Sequence, residues 1–220
     1  ATATSDLASG STLGSLSANL PLAEVLAETR AQFDGDAQTG GAVTIQASAS
    51  NTAVARSDVF SIGILGAQAG AEATATVAGS AATQALVGAT SSIHAPGAAV
   101  QVLASADNSV TAEARGRTGG LISVSLMAPT ATIAAATRAR FDGTAPDQPV
   151  DTGSLTLRST ASNAASADAH VTSITLLGSG QGSVGNATSA GGHVSFAGEL
   201  CVCAAGARVC VMVTVPVSGG

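Results

Sequence analysis

Hydrophobic and polar residues alternate in several short stretches of the chain. Every second residue is apolar at 43–48, 100–102 and 155–158, and 52–56, 73–77 and 131–134 follow the same pattern less strictly. A period of two places apolar side chains on one face of a β-strand. The pattern therefore predicts many short strands, each with one buried face.

Turn-forming pairs separate these stretches, among them Asp34-Gly35, Pro96-Gly97 and Asp142-Gly143. The alanine-rich segments 20–29 and 130–140 leave a helical alternative open, because Ala has the highest helix propensity. Frequent Gly, Ser, Thr and Val argue against long helices. We therefore expect an all-β fold in which Asp34, Gly35, Asp142 and Gly143 are structural turn residues.

Internal similarity divides the chain into four repeat units of similar length. Residues 41–51 resemble 98–108 and 153–163, and each segment ends in an asparagine: Asn51, Asn108 or Asn163. The sequence of 29–35 recurs almost unchanged at 137–143, and 206–212 resembles 97–103. The expected units are 1–51, 52–108, 109–163 and 164–220.

No linker interrupts the units, which favours one continuous stack over separate domains. We expect residues 1–220 to form a single β-solenoid domain. Each unit would hold two or three coils of roughly 18–28 residues, with each coil burying its inward face against its neighbours.

Composition constrains the interior and the partners. The 220 residues include 48 Ala, 26 Gly and four Phe, with neither Trp nor Tyr, so we expect a narrow core of small aliphatic side chains. The net charge is −6, and the eight basic residues are scattered arginines. Nucleic-acid binding normally uses clustered basic residues and stacking aromatics, so we expect no nucleic-acid partner. No uninterrupted run of 18 apolar residues occurs, and we expect no membrane insertion.

The repeated sequence segments resemble those of a known class of proteins. Segments 119–125, 128–134, 137–143 and 155–163 are similar to repeats of very large secreted bacterial adhesins, the filamentous-haemagglutinin-like and leukotoxin-type filamentous proteins. The resemblance implies a right-handed parallel β-helix, export, and a surface or matrix role, and it implies no catalytic residues.

The resulting expectation is a non-enzymatic structural or interaction protein, either a segment of a surface adhesin or a subunit of a self-assembling matrix filament. Its location would be extracellular or on the cell surface. Its partners would be copies of itself stacked end to end, or flanking repeats of a longer chain, together with an unidentified host or matrix ligand. The alternative is a β-helix that binds or cleaves polysaccharide. Carboxylates gathered in one groove would favour that alternative, and the missing aromatic platforms disfavour it.

Three late cysteines, Cys201, Cys203 and Cys210, are the first candidate metal ligands. Alternate residues of a strand share a face, so a soft metal could be bound there, with His193 as a further ligand. The alternatives are small apolar fillers of the core, or a disulfide between Cys210 and Cys201 or Cys203.

Asp34 and Asp36, with Asp142, Asp147 and Asp151, are candidate Ca²⁺ ligands because Ca²⁺ prefers carboxylate oxygens. The alternative is that Asp-Gly pairs simply form turns. No other cofactor is expected. We also expect Arg30 and Arg138 to pair with Asp34 and Asp142, and Phe33 and Phe141 to be buried at corners. The alternative is that these recurring residues form a row that binds a ligand.

Alternate threonines raise an ice-binding hypothesis, which needs a stacked Thr-x-Thr face. The pairs Thr2 with Thr4 and Thr74 with Thr76 fit in isolation, but the motif does not recur at the expected coil spacing.

Overall fold

Every regular element in the described part of the chain is a β-strand. The computed structural model describes the backbone of residues 1–143, 150–183, 186–189, 192–204 and 207–216, and the side chains of 1–143 and 151–172. The strands are β1 Thr2–Ser11, β2 Ser15–Asn19, β3 Leu22–Val25, β4 Thr29–Phe33, β5 Asp36–Gln38, β6 Val43–Gly63, β7 Gly66–Ala71, β8 Thr74–Val77, β9 Thr83–Val87, β10 Ser92–Met127, β11 Thr130–Ile133, β12 Thr137–Phe141, β13 Val150–Ser183, β14 Asn186–Ser189, β15 Gly192–Ala204 and β16 Ala207–Pro216.

The fold is all-β, with a nearly closed sheet of mostly parallel strands. This confirms the predicted class. The alanine-rich segments 20–29 and 130–140 contain β3, β4, β11 and β12, so the helical alternative for them is wrong. Ala23, Ala131 and Ala139 alternate with Glu, Thr and Arg and lie on the buried side of short strands.

The longest ladder consists of β1, β6, β10 and β13, which pair side by side in that order. Its register sets Val54 beside Thr2, Thr111 beside Val54, and Ser166 beside Thr111. All parallel pairings join residues 50 to 57 positions apart. The expectation of two or three short coils in each unit is therefore wrong, because the chain returns to its own edge only after a whole repeat unit.

Four shorter ladders complete the parallel pairing. The first joins β2, β7 and the end of β10, the second joins β3, β8, β11 and β14, and the third joins β4, β9, β12 and β15. The fourth joins β5, the start of β10, the start of β13, and β15. β16 departs from this arrangement, since it pairs antiparallel with β15. The similarity of 206–212 to 97–103 is consequently not matched by a parallel pairing of β16.

The core consists of two clusters of small side chains. One packs Val59, Val110 and Met127 among alanines of β6, β7, β8, β10 and β11. The other packs Val100, Val102 and Phe141 with residues of β6, β9, β10 and β12. Alanine and valine dominate both clusters, which agrees with the small-residue interior that the composition predicts.

A column of asparagines lies on the inward face of the long ladder, at the boundary of the two clusters. Asn51, Asn108 and Asn163 are register partners, and Asn108 is fully buried. A buried amide needs hydrogen-bond partners, and here each amide meets the next one in the column.

Candidate interaction surface

The end of β10 turns large apolar side chains outward. Ile122, Val124 and Leu126 are 55%, 46% and 59% exposed, whereas the intervening Ser123 and Ser125 are buried. Leu16 on β2 is 74% exposed, while Ser17 next to it is buried. This reverses the usual arrangement of a half-buried strand, in which the apolar residues face the core. We call Leu16, Ile122, Val124 and Leu126 the apolar patch.

Hydrogen bonds among hydroxyl groups satisfy the serines behind this patch. Ser15 and Ser61 share a hydroxyl–hydroxyl bond of 2.5 Å, and Thr118 and Ser125 share one of 3.1 Å. Buried hydroxyls are tolerated when they bond to one another. The polar interior at this corner therefore explains how the alternation can be reversed there.

A shallow groove of about 300 Å³ crosses the patch over β2, β7 and β10. The register aligns Leu16, Gln68 and Val124 across the three strands. Gly14 and Gly66, which carry no side chains, lie in the lining beside the bulky Ile122. The result is a depression with apolar walls, a shape suited to an apolar side chain of a partner.

A row of paired charges lies on the outer face of β6 and β10. Glu113 accepts from Arg56 Nε at 3.0 Å and from an Arg115 guanidinium nitrogen at 2.6 Å. A guanidinium nitrogen of Arg117 lies 3.6 Å from a carboxylate oxygen of Asp58. These exposed pairs contribute little to stability, about 0–1 kcal/mol each. They place opposite charges side by side, so these arginines form part of a mixed-charge row rather than a basic patch.

The candidate turn residues lie between strands. Asp34 and Gly35 connect β4 to β5, and Asp142 and Gly143 follow β12. Neither glycine adopts a positive φ; Gly97, with φ +73°, is the one described glycine that does. Gly143 instead lies close to Phe141, where an added Cβ would be 2.9 Å from the ring.

The candidate Ca²⁺ ligands engage neighbouring side chains. Asp34 accepts from Gln32, and Asp36 accepts from the Ser92 hydroxyl at 2.5 Å. Asp147 lies outside the described residues. Among the side chains that the structure describes, no three His, Cys, Asp or Glu residues come together as a metal site would require.

Asp142 pairs with a different arginine from the expected Arg138. Arg140 Nε donates to Asp142 at 2.7 Å, and Gln32 replaces Arg30 as the partner of Asp34. The physical reason is the period of the strand: residues two apart share a face, whereas residues four apart are about 13 Å apart in an extended chain. Phe141 is fully buried, as expected, whereas Phe33 is only half-buried against the same cluster.

The cysteines lie on the antiparallel pair β15 and β16, where the backbone alone is described. Cys201 is the direct register partner of Cys210, and Cys203 is the register partner of Arg208. Cys201 also adjoins Asp151 in the parallel pairing with β13. His193 adjoins Arg138 on another ladder, so the register does not bring it beside the cysteines.

One buried carboxylate lies close to these strands. A carboxylate oxygen of Asp151 is 3.1 Å from His94 Nδ1, while its Oδ1 is buried with no hydrogen-bond partner. Sequence reasoning identified Asp151 only as a candidate calcium ligand and did not anticipate its pairing with His94. The repeats do not reveal this pair, because they align 98–108 with 153–163 at an offset of 55 residues. His94 and Asp151 are 57 residues apart and lie beyond a shift in register between Ala95 and Ala99.

The threonine pairs do recur once the true register is used. Thr74 and Thr76 adjoin Thr130 and Thr132, their counterparts in the following repeat unit. Coils of roughly 18–28 residues would not place these pairs side by side, because they are 56 residues apart. In β3, the first strand of this ladder, the residues beside Thr74 and Thr76 are Leu22 and Glu24. Among the strands whose side chains are described, the threonine array therefore covers only β8 and β11.

The apolar patch was missed by sequence reasoning. Apolar residues of a half-buried strand normally face the core, so the alternation at 122–126 would place Ile122, Val124 and Leu126 there. The recurring Ser-x-Ser at 15–17 and 123–125 is the only sequence signal of a polar interior.

Comparisons with protein-family profiles, with curated proteins and with solved structures find no match for this chain. The described part of the chain contains no helix that could span a membrane.

Proposed function

We propose that this chain is a segment of an extracellular β-solenoid, a right-handed parallel β-helix of four coils with one repeat unit in each. The coils would correspond to units 1–51, 52–108, 109–163 and 164–220. The observation that carries the proposal is the in-register stacking of β1, β6, β10 and β13, with its buried asparagine column. Stacked coils of similar sequence produce such columns naturally, because equivalent residues become neighbours.

The proposed role is structural: a part of a bacterial surface adhesin, or a subunit of a self-assembling matrix filament, without enzymatic activity. Two features support an interaction role. β1 to β5 each pair with a strand on one side only in the described structure, and the apolar patch offers a lateral contact. Unpaired strand edges and exposed apolar patches are the surfaces through which β-proteins associate.

Copies of the chain, or flanking repeats of a longer chain, would cover the free edge of β1 to β5. Several inward residues there are incompletely covered: Ala3, Ala31, Phe33 and Ala37 are half-buried, whereas their counterparts in the next strands are buried. A further coil would complete this burial. The described carboxylates do not gather in one groove, so nothing favours the polysaccharide alternative.

Electron microscopy and fibre diffraction over a concentration series test the filament proposal. We expect fibres whose strand spacing of about 4.7–4.9 Å runs along the fibre axis, because stacking adds strands at the edge. Particles of constant compact size at every concentration would contradict self-assembly.

A matched pair of variants tests the edge itself. Ala3→Lys places a charge on the inward face of β1 and should abolish fibre growth. Thr2→Lys adds the same charge at an exposed neighbouring position and should leave growth intact. Equal growth of both variants would exclude this edge as the contact.

The segment proposal has its own test, a fusion of two copies in tandem. If the coils stack continuously, the fusion should unfold in one transition with a higher midpoint than a single copy, since stability comes from interfaces between neighbours. Two independent domains would instead unfold at the single-copy midpoint. Antibody labelling of intact source cells tests the surface location.

A further inference from the structure

The hairpin formed by β15 and β16 contains a candidate modification site. We propose that Cys201 and Cys210 form a disulfide, and that Cys203 remains a free thiol. The inference rests on strand register alone, so it does not depend on the proposed function.

The register makes Cys201 and Cys210 direct partners across an antiparallel pair. The pairing continues on both sides, with Leu200 beside Val211 and Val202 beside Val209. Directly opposed residues of an antiparallel pair have Cα atoms about 4.5–5.5 Å apart and lie on the same face of the sheet. Disulfides join Cα atoms about 4.4–6.8 Å apart, so this placement satisfies the backbone requirement.

The same geometry disfavours the two other pairings of the three cysteines. Cys203 is opposite Arg208, which leaves it diagonal to Cys210 at about 7–8 Å. Cys201 and Cys203 are two positions apart in one strand. Residues two apart in an extended strand have nearly parallel Cα–Cβ bonds, so their Cβ atoms stay about 6.6–6.8 Å apart, well beyond the about 3.5–4.5 Å of a disulfide. Neither arrangement allows a bond without backbone movement.

The disulfide would fasten the one antiparallel element of the described structure to the parallel ladders. β15 pairs with β13 through Leu200, Cys201 and Val202, opposite Val150, Asp151 and Thr152. A bond from Cys201 to Cys210 would therefore anchor β16 at the point where β15 joins the body of the fold. β16 would then keep its place along the edge of β15, which removes that edge from further pairing.

Formation of the bond is a two-electron oxidation. The two thiols lose two protons and two electrons, and a low-molecular-weight disulfide such as oxidised glutathione accepts them and becomes two thiols. Exchange proceeds through a mixed disulfide on one cysteine, which the second cysteine then displaces.

The test uses the full chain, reduced and then equilibrated with a mixture of reduced and oxidised glutathione and a metal chelator. Free thiols are alkylated and the protein is analysed by intact mass and peptide mapping. We expect one alkyl group, on Cys203, and a cross-linked peptide pair that contains Cys201 and Cys210. Alkylation of all three cysteines after equilibration would overturn the proposal.

Variants and a denatured control make the result specific. Cys203→Ser should keep the cross-link and take up no alkyl group, whereas Cys201→Ser and Cys210→Ser should each lose it. The same oxidation in concentrated urea gives the distribution of pairings that chain proximity alone produces. An identical distribution in native protein, or a cross-link mainly through Cys203, would contradict the role of the register.

Metal binding is distinguished by omitting the chelator. A metal held by the cysteines would protect them from alkylation without forming a cross-linked peptide, and adding the chelator would restore alkylation. That outcome would also overturn the disulfide proposal.

Discussion

The side-chain amide of Asn51 donates a 2.8 Å hydrogen bond to the side-chain oxygen of Asn108 in the next repeat unit. Asn108 in turn donates at 2.8 Å to Asn163, one unit further on. One column of amides thus links three strands of the long ladder. Because Asn108 is fully buried, its bonds are shielded from water and a shift in register would leave buried polar groups unpaired.

Asn108→Ala should lower the free energy of unfolding by about 1–3 kcal/mol, because Asn51 and Asn163 each lose this partner in a water-poor site. The matched control is Ser105→Ala, which removes the 3.1 Å hydroxyl bond to Ser48 on the exposed face of the same strand. That change should cost less than about 0.5 kcal/mol. Urea unfolding curves give both values, and equal stability of the two variants would show that the column does not contribute as described.

Phe141→Ala should be among the most destabilising truncations in the chain. Phe141 is the largest fully buried side chain among the described residues, and its removal leaves a cavity among small neighbours that are already closely packed. The expected loss is about 3–5 kcal/mol. Phe60→Ala is the control, because Phe60 is 42% exposed on the outer face of β6. A loss of less than about 1 kcal/mol for Phe141→Ala, measured by thermal or urea unfolding, would contradict its placement.

Much of the fold follows from two sequence signals. Alternation at 43–48, 100–102 and 155–158 identifies strands. Their inward residues are fully buried in the middle strand, as at Val100 and Val102, and half-buried at Val43, Leu155 and Leu157. The asparagines that end the similar segments at 41–51, 98–108 and 153–163 are register partners in the structure. Repeats are informative about register because equivalent residues tend to stack on one another.

The coil length could not be obtained in the same way. Repeats give the length of the repeating unit, but they do not say how often the chain turns within it. The parallel pairings of Thr83 with Thr29 and with Thr137 join residues 54 positions apart, which is close to the spacing between the similar segments. Sequence reasoning also could not predict which side chains at 122–127 face the core. Alternation identifies the two faces of a strand but does not say which of them is buried.

Gly120→Ala should destabilise the fold for steric reasons. A Cβ at Gly120 would lie 2.3 Å from the carbonyl oxygen of Gly63, and a backbone atom cannot move aside as a flexible side chain can. We expect a loss of about 1–3 kcal/mol, typical of overpacking. Gly40→Ala is the control, because no atom lies within 4 Å of its added Cβ and its φ is not positive. Both changes reduce the freedom of the unfolded chain similarly, so the difference in unfolding midpoint isolates the steric term.

The reversed alternation at the end of β10 gives the sharpest test of the apolar patch. Val124→Thr adds a hydroxyl at a position that is 46% exposed, where water can hydrate it, so stability should change by no more than about 0.5 kcal/mol. Val110→Thr makes the same change on the same strand at a position 1% exposed, and there the hydroxyl should cost about 1–3 kcal/mol.

Ser125→Ala tests the same assignment of faces on the inward side of β10, next to Val124. Ser125 is buried and shares a 3.1 Å bond with the Thr118 hydroxyl, so its loss should cost about 1 kcal/mol. If the usual alternation applied instead, Val124→Thr would be as costly as Val110→Thr, and Ser125→Ala would be neutral. Unfolding of the three variants under one set of conditions therefore decides whether Val124 faces solvent, and with it whether the patch is available to a partner.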